Sequence, residues 1–284
     1  MKKSYSIILL MLFPILLMAQ ASGGQITRPV KKQQAKTSIQ TFQKQSTRQK
    51  MSKHSSFSQQ DLPYVIQNLI NNMVRVEGGT FIMGAQGEQY GDRPAHQVTL
   101  SSFSIGKYEV TQEEWEIVMG NNPASYKGSK RPVERVSWND CQEFIRKLNI
   151  MTGKHFRLPT EAEWEFAARG GNQSNGYKYA GGNNDGKVAW NKWNSGHSTH
   201  DVGQKIPNEL GLYDMSGNVK EWCLDWIGDY SSNSLTNPTG PSSGTYHVSR
   251  GGSWCNSTNW NLVVVRGLGK PDKREDDCGF RLAL

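Results

Sequence analysis

The chain has 284 residues, with 33 Lys and Arg against 25 Asp and Glu and a formal charge of +8. The excess is confined to residues 1–60, which hold ten of the basic residues and no acidic one, leaving 23 basic against 25 acidic beyond them. A folded basic face for nucleic acid is thereby excluded, and no nucleic-acid-binding motif is present.

Met1-Lys2-Lys3, the apolar run from Ile7 to Met18 and the small-x-small Ala19-Gln20-Ala21 read as a signal peptide over residues 1–21. The apolar run is short for a bilayer span, so a retained anchor is the weaker alternative and no transmembrane segment is expected after cleavage. The mature chain is expected to be exported, periplasmic or extracellular. Residues 22–60, rich in Gln, Lys, Ser and Thr, cannot bury a core and read as a basic disordered tether. The tether serves as a solvated spacer or touches anionic lipid or polysaccharide.

Residues 61–73 are expected to form a linking helix, with Leu62, Val65, Ile66, Leu69 and Ile70 as its apolar stripe. A domain over 74–284 follows. Its first strands are expected at Val74–Val76 and Phe81–Met83, around the Gly78-Gly79 turn, and then from Gln97 to Tyr108. Three helix starts carry capping boxes, in which a hydroxyl and an acid satisfy each other's orphan backbone donors. These are Thr111 with Glu114, Ser137 with Asp140, and Thr160 with Glu163. The third helix is expected to stop at Gly170-Gly171. Residues 172–208 are rich in Gly, Asn, Lys and Ser, with Trp190 and Trp193 as expected buried anchors, and a second loop-rich stretch covers 229–245. Short strands are expected near Tyr246–Arg250 and Gly279–Leu284. The fold class is α+β, loop-rich with few regular elements.

Seven segments in order resemble the formylglycine-generating enzyme (sulfatase-modifying factor) family: VEGGTFIMGA (76–85), SIGKYEVTQEEW (104–115), RPVERVSWNDCQEF (131–144), FRLPTEAEWEFAARGG (156–171), GLYDMSGNVKEWCLDW (211–226), VSRGGSW (248–254) and GFRLAL (279–284). The resemblance implies an elaborated C-type-lectin-like scaffold. Active members of that family hold copper(I) between two cysteines five positions apart, after the GGS-aromatic segment, and oxidise a substrate cysteine to an aldehyde. Two soft thiolates suit copper(I). Here Cys255 follows Trp254, and Trp260 stands five residues on; shifted by one, the pair reads Asn256 and Asn261. The copper pair is therefore incomplete, Cys255 is the sole catalytic candidate, and copper is not expected.

The resemblance also implies a structural calcium site. Asp214 and Glu221 would supply carboxylates, Gly217 and Val219 carbonyls, and Asn191 a ligand to a second site. A turn closed by ordinary hydrogen bonds is the alternative. Cys255 and Cys278 are expected to pair as a disulfide worth about 3 kcal/mol, with a free reactive thiol at Cys255 as the alternative. Cys141 and Cys223 read as buried fillers. His197 and His200 read as surface histidines rather than a zinc pair, for lack of further ligands.

Three functions stand on this reading. The first is a non-catalytic binding or scaffolding module with a protein or glycan ligand. In the second, the last 30 residues resemble the variable region of retroelement-diversified lectin-like proteins, with a ligand-binding face of Trp260, Val265, Leu268, Lys270, Lys273, Glu275 and Asp276. The third is an oxidase acting on a sulfatase cysteine.

Overall fold

The computed structural model describes residues 62–85 and 94–284. The signal peptide, the tether and Asp61 of the linking helix lie outside the described residues. Helix α1 (Tyr64–Asn71) starts after Pro63 and buries Ile66 and Leu69; Leu62 is buried beside them, while Val65 and Ile70 are half-buried. Among the described residues no helix is long and apolar enough to cross a membrane.

Strand β1 (Met73–Val76) pairs antiparallel with β4 (Phe103–Gly106), placing Val74 opposite Ile105. Strand β2 (Gly79–Met83) pairs antiparallel with β3 (His96–Leu100). The single strand expected from Gln97 to Tyr108 is therefore two, broken at Ser101-Ser102. The break lets β3 and β4 join different sheets.

All three capping boxes form. They open α2 (Gln112–Met119), α3 (Trp138–Thr152) and α4 (Glu161–Ala168). Helices α2 and α3 close on Gly120 and Gly153, both left-handed, as C-terminal glycine caps require. Helix α4 differs from the other two because all eight of its residues are buried.

Beyond α4 the chain is mostly ordered loop, with one turn of helix, α5 (Asp185–Val188), inside it. Strand β5 (Lys220–Trp226) is the spine of a four-stranded sheet. The sheet order is β8 (Arg266–Gly269), β7 (His247–Arg250), β5, β9 (Cys278–Gly279), with β9 parallel to β5. The two-residue strand β6 (Leu235–Thr236) pairs parallel with β3. The expected strand at Gly279–Leu284 is only partly realised. Gly279 joins the sheet, and Ala283 instead bridges Ile105 and Arg157.

Strand alternation divides the core. Trp222 of β5 enters a cluster with Trp115, Phe144, Leu148 and Phe280, under α2 and α3. Its neighbour Cys223 enters a second cluster with Trp164, Phe166, Val98 and Val248, around α4.

Two tryptophans depart from the expected core. Trp193 is 71% exposed, because Asn191 Oδ1 accepts the Trp193 backbone N–H at 2.9 Å and closes a polar turn that throws the ring outward. Trp190 is half-buried, its ring stacked on His200 at 3.7 Å and covered by the Lys205 ammonium at 3.9 Å.

Candidate functional site

Strand β7 ends at Arg250, and Gly251 and Gly252 follow with φ of +94° and +67°. A side chain at Gly252 would collide with Asn261, so glycine is required where this loop doubles back. The loop then presents Ser253, Trp254, Cys255 and Asn256. Cys255 Sγ lies 3.2 Å from Asp277 Oδ2 and 3.3 Å from Ser253 Oγ. Ser253 also donates to Asp277 Oδ2 at 2.9 Å, and Lys220 sits 3.1 Å from Asp277 Oδ1.

Burial pushes the Cys255 thiol up to about 11, with the Asp277 carboxylate adding to the effect and the Ser253 hydroxyl opposing it. At neutral pH this sulfur keeps its proton, whereas a nucleophile or soft metal ligand must be a thiolate. The positions matching the second thiol hold Trp260, half exposed, and Asn261, fully buried with neither amide atom partnered among the described residues.

All four cysteines are unbridged, so the expected pairing of Cys255 with Cys278 is absent. The reason is strand alternation. Asp277 faces Cys255, so the next residue, Cys278, points the opposite way, into the core cluster that holds Cys141. Cys141 and Cys223 are buried, as the sequence led us to expect.

The 214–221 segment surrounds a buried carboxylate cluster. Both oxygens of Glu221 are held by Arg281 at 2.6 Å, and Trp164 Nε1 donates to Oε2 at 2.7 Å. Asp214 Oδ2 accepts from Gly203 N at 2.7 Å, while its buried Oδ1 has no partner among the described residues. A residue the sequence did not single out completes the cluster. Glu109 accepts from Val219 N at 3.0 Å and from Asn218 Nδ2 at 2.7 Å.

Burial, then Asp214 and Glu221, drives Glu109 well above the usual carboxylate range. Asp214 is pushed up to about 6, first by burial. Three carboxylates thus share the Arg281 guanidinium. Gly217 has φ of +85°, and a side chain there would strike the Trp190 carbonyl. Asn191 is spent inside its own loop, accepting from Trp193 N and donating to Asp185 at 2.9 Å. Among the described residues no three His, Cys, Asp or Glu side chains are grouped to hold a metal. A cation here would therefore depend on Asp214 Oδ1 and backbone carbonyls. His197 is exposed, and His200 is engaged by Trp190 and by the Ser195 carbonyl at 2.7 Å.

The C-terminal window is divided by burial. Trp260 and Leu268 are 49% and 55% exposed. Lys270, Lys273 and Asp276 are exposed, and Glu275 is half-buried between Lys220 and Lys273. Val265 is the correction. It is buried just before β8, where its carbonyl accepts from Arg250 at 2.7 Å, so it adds to the wall of the neighbouring cavity rather than to an exposed face. Trp260 and Leu268 line a cavity of about 340 Å³ together with Lys220, Ser249 and Asn256. Glu275 and Asp277 already neutralise the Lys220 charge, which leaves a cavity of apolar rim and polar floor.

The sequence matches the Sulfatase-modifying factor enzyme 1-like domain over residues 58–284. The chain belongs to this family. The "Chaperone protein LppX" of Paenibacillus barcinonensis is 37% identical over 262 residues, covering 75% of this chain and 89% of its own length. The formylglycine-generating enzyme of Streptomyces coelicolor is 32% identical, covering 74% and 88%. Among solved structures, Treponema denticola variable protein 1 superposes with a TM-score of 0.70 at 36% identity, covering 74% of this chain and 94% of that one. The sulfatase-modifying factor fold is thus present in a member whose loop after the GGS segment carries one thiol.

The buried carboxylates set a pH dependence. A carboxylate raised in the fold stabilises it while protonated and withdraws that contribution as pH rises through the folded value. Besides Glu109 and Asp214, burial pushes Glu114 and Glu134 up to about 7. Asp140, lowered chiefly through Arg274 and Ser137 against an opposing burial effect, is already ionised in this range, and His247, lowered by burial, opposes the trend. In chelator, unfolding free energy is expected to fall between about pH 5 and about pH 7. Asp214→Asn is expected to flatten that slope, and urea titrations at several pH values check both.

Proposed function

We propose that this chain is an exported, non-catalytic member of the sulfatase-modifying factor family that acts as a binding or scaffolding module. The observation that carries the reading is the state of Cys255. Its thiol is held protonated against Asp277, with asparagine or tryptophan where the partner thiol would stand. Covalent or metal chemistry needs the group it runs on to be present. The likeness to a relative named a chaperone, covering most of both chains, fits a module that holds a partner.

The deciding experiment takes protein from the exported fraction, where intact mass is expected to place the mature start at Ser22. The protein is incubated with a sulfatase-type cysteine peptide, copper and oxygen, beside a Cys255→Ser control. No aldehyde is expected in either. Aldehyde formed by the wild type and lost in the control would make this chain a formylglycine-generating oxidase.

The likeness to Treponema denticola variable protein 1 favours placing the ligand on the C-terminal face. There Trp260 and Leu268 rim the 340 Å³ cavity, and Glu275 pairs with Lys220 of its lining. A broad apolar ring beside polar groups is the composition of a binding surface for protein or glycan. On glycan and peptide arrays, Trp260→Ala is expected to abolish whatever the wild type retains. Unchanged binding by that variant would move the ligand elsewhere.

Calcium is proposed as a structural ion beside Asp214 and Glu221, with the Gly217 and Val219 carbonyls. The excess of three buried carboxylates over Arg281 and the unpartnered Asp214 Oδ1 support it. The ion would neutralise that excess and pin the surrounding loops. Added calcium at pH 7.5 is expected to raise the melting temperature and chelator to lower it. Both responses should vanish in Asp214→Asn, and a wild type indifferent to both would remove the ion from this account.

A further inference from the structure

A second cavity, of about 380 Å³, opens between α4, the end of β5 and the loop after it. Asp225 lines it together with Trp226, Tyr230, Leu235, Pro238 and Pro241. Asp225 stands apart from the acids next to it. Glu161 is paired with Arg266 at 2.7 and 2.8 Å, Glu163 with Arg157 at 2.6 and 2.7 Å, and Glu165 with Arg169 and Arg250. Asp225 is 4% exposed and has no cationic partner among the described residues. Its Oδ2 accepts from Glu161 N at 2.9 Å.

We propose that this cavity binds an organic cation, a primary ammonium or guanidinium on an apolar stem, whose charge pairs with Asp225 and whose stem lies against Trp226 and the two prolines. The proposal goes beyond the binding role argued above and does not depend on the C-terminal face.

The other charges around the cavity exclude the alternatives. Arg266 is no anion receptor. Its donors are taken by Glu161 and by the Gly228 carbonyl at 2.8 Å, and its face lies on the Tyr230 ring at 4.1 Å. A calcium ion needs six to eight oxygens, and the Asp225 and Asp229 carboxylates among aromatic and prolyl walls do not supply them. An organic cation asks for less: one carboxylate and aromatic surface, which strengthens as water is excluded.

The cavity also predicts how binding varies with pH. Burial, then the neighbouring Glu161 charge, pushes Asp225 up to about 7; Glu163 adds to this and Arg266 opposes it. The other groups facing it are Asp229, Tyr230 and His96 on the cavity wall, with His96 Nδ1 on the Pro94 carbonyl at 3.1 Å. His247 meets only the Asp225 backbone carbonyl, at 3.1 Å. Only the ionised carboxylate pairs with a cation, so affinity should rise about tenfold from about pH 6 to about pH 8.

The test is calorimetry on the full chain with n-butylammonium and butylguanidinium, using n-butanol as the neutral probe and calcium chloride as a competitor. Both cations should bind at least about tenfold tighter than butanol at pH 8, losing that margin in Asp225→Asn. That variant keeps an acceptor for Glu161 N. Should it fail to fold, the pH series on the wild type decides. Capped lysine and arginine tripeptides, run beside the free amines, separate the two sources of such a group. Tighter peptides assign the cavity to a basic side chain of a partner, and tighter amines to a small molecule. Butanol binding as well as the cations, an affinity flat from pH 6 to pH 8, or displacement by calcium would each overturn the proposal.

Discussion

Helix α4 is buried along its whole length, yet three of its eight residues are glutamates. An unpaired charge in such a place costs several kcal/mol, so the domain is arranged to bring an arginine to each. Arg157 comes from the strand-like approach to the helix, Arg250 from β7 and Arg266 from β8. Trp164 of the same helix donates to Glu221, which Arg281 grips from the far end of the chain. Packing alone would let a smooth apolar helix slide or turn; these pairs fix its register against the sheet.

That arrangement also shapes the loop after β7. Arg250 must point into the helix, and the two glycines behind it turn the chain back across the surface. Cys255 emerges from this turn beside Asp277, a carboxylate that is itself shared with Ser253 and Lys220. The thiol in that setting is hydrogen-bonded within the loop.

What was legible in the sequence was local. Each capping box closes over three residues, so hydroxyl and acid could be read directly at Thr111, Ser137 and Thr160. The buried ion pairs join residues 85 and 105 positions apart, as with Glu165 and Arg250 or Glu161 and Arg266, and leave no periodicity to read. Glu109 escaped notice for the same reason, since its partner Asn218 lies 109 residues away. The Cys255–Cys278 pairing failed because sequence proximity to a strand does not say which face a residue takes, and Asp277 took the face toward Cys255. Trp193 misled by its residue type, because the polar turn made by Asn191 outweighed the ring's preference for burial.

The closing segment is stitched to elements laid down far earlier. Leu284 exchanges two backbone hydrogen bonds with Ser104, Gly106 donates to Leu282, Val110 donates to Phe280, and Ala283 bridges Arg157. Phe280 and Leu282 fill the cluster under α2 and α3. A ribosome delivering residue 104 first therefore holds an unfinished core until residues 278–284 have left the exit tunnel. Pairings of such separation are slow to find, so the core under α2 and α3 cannot close before Phe280 and Leu282 arrive.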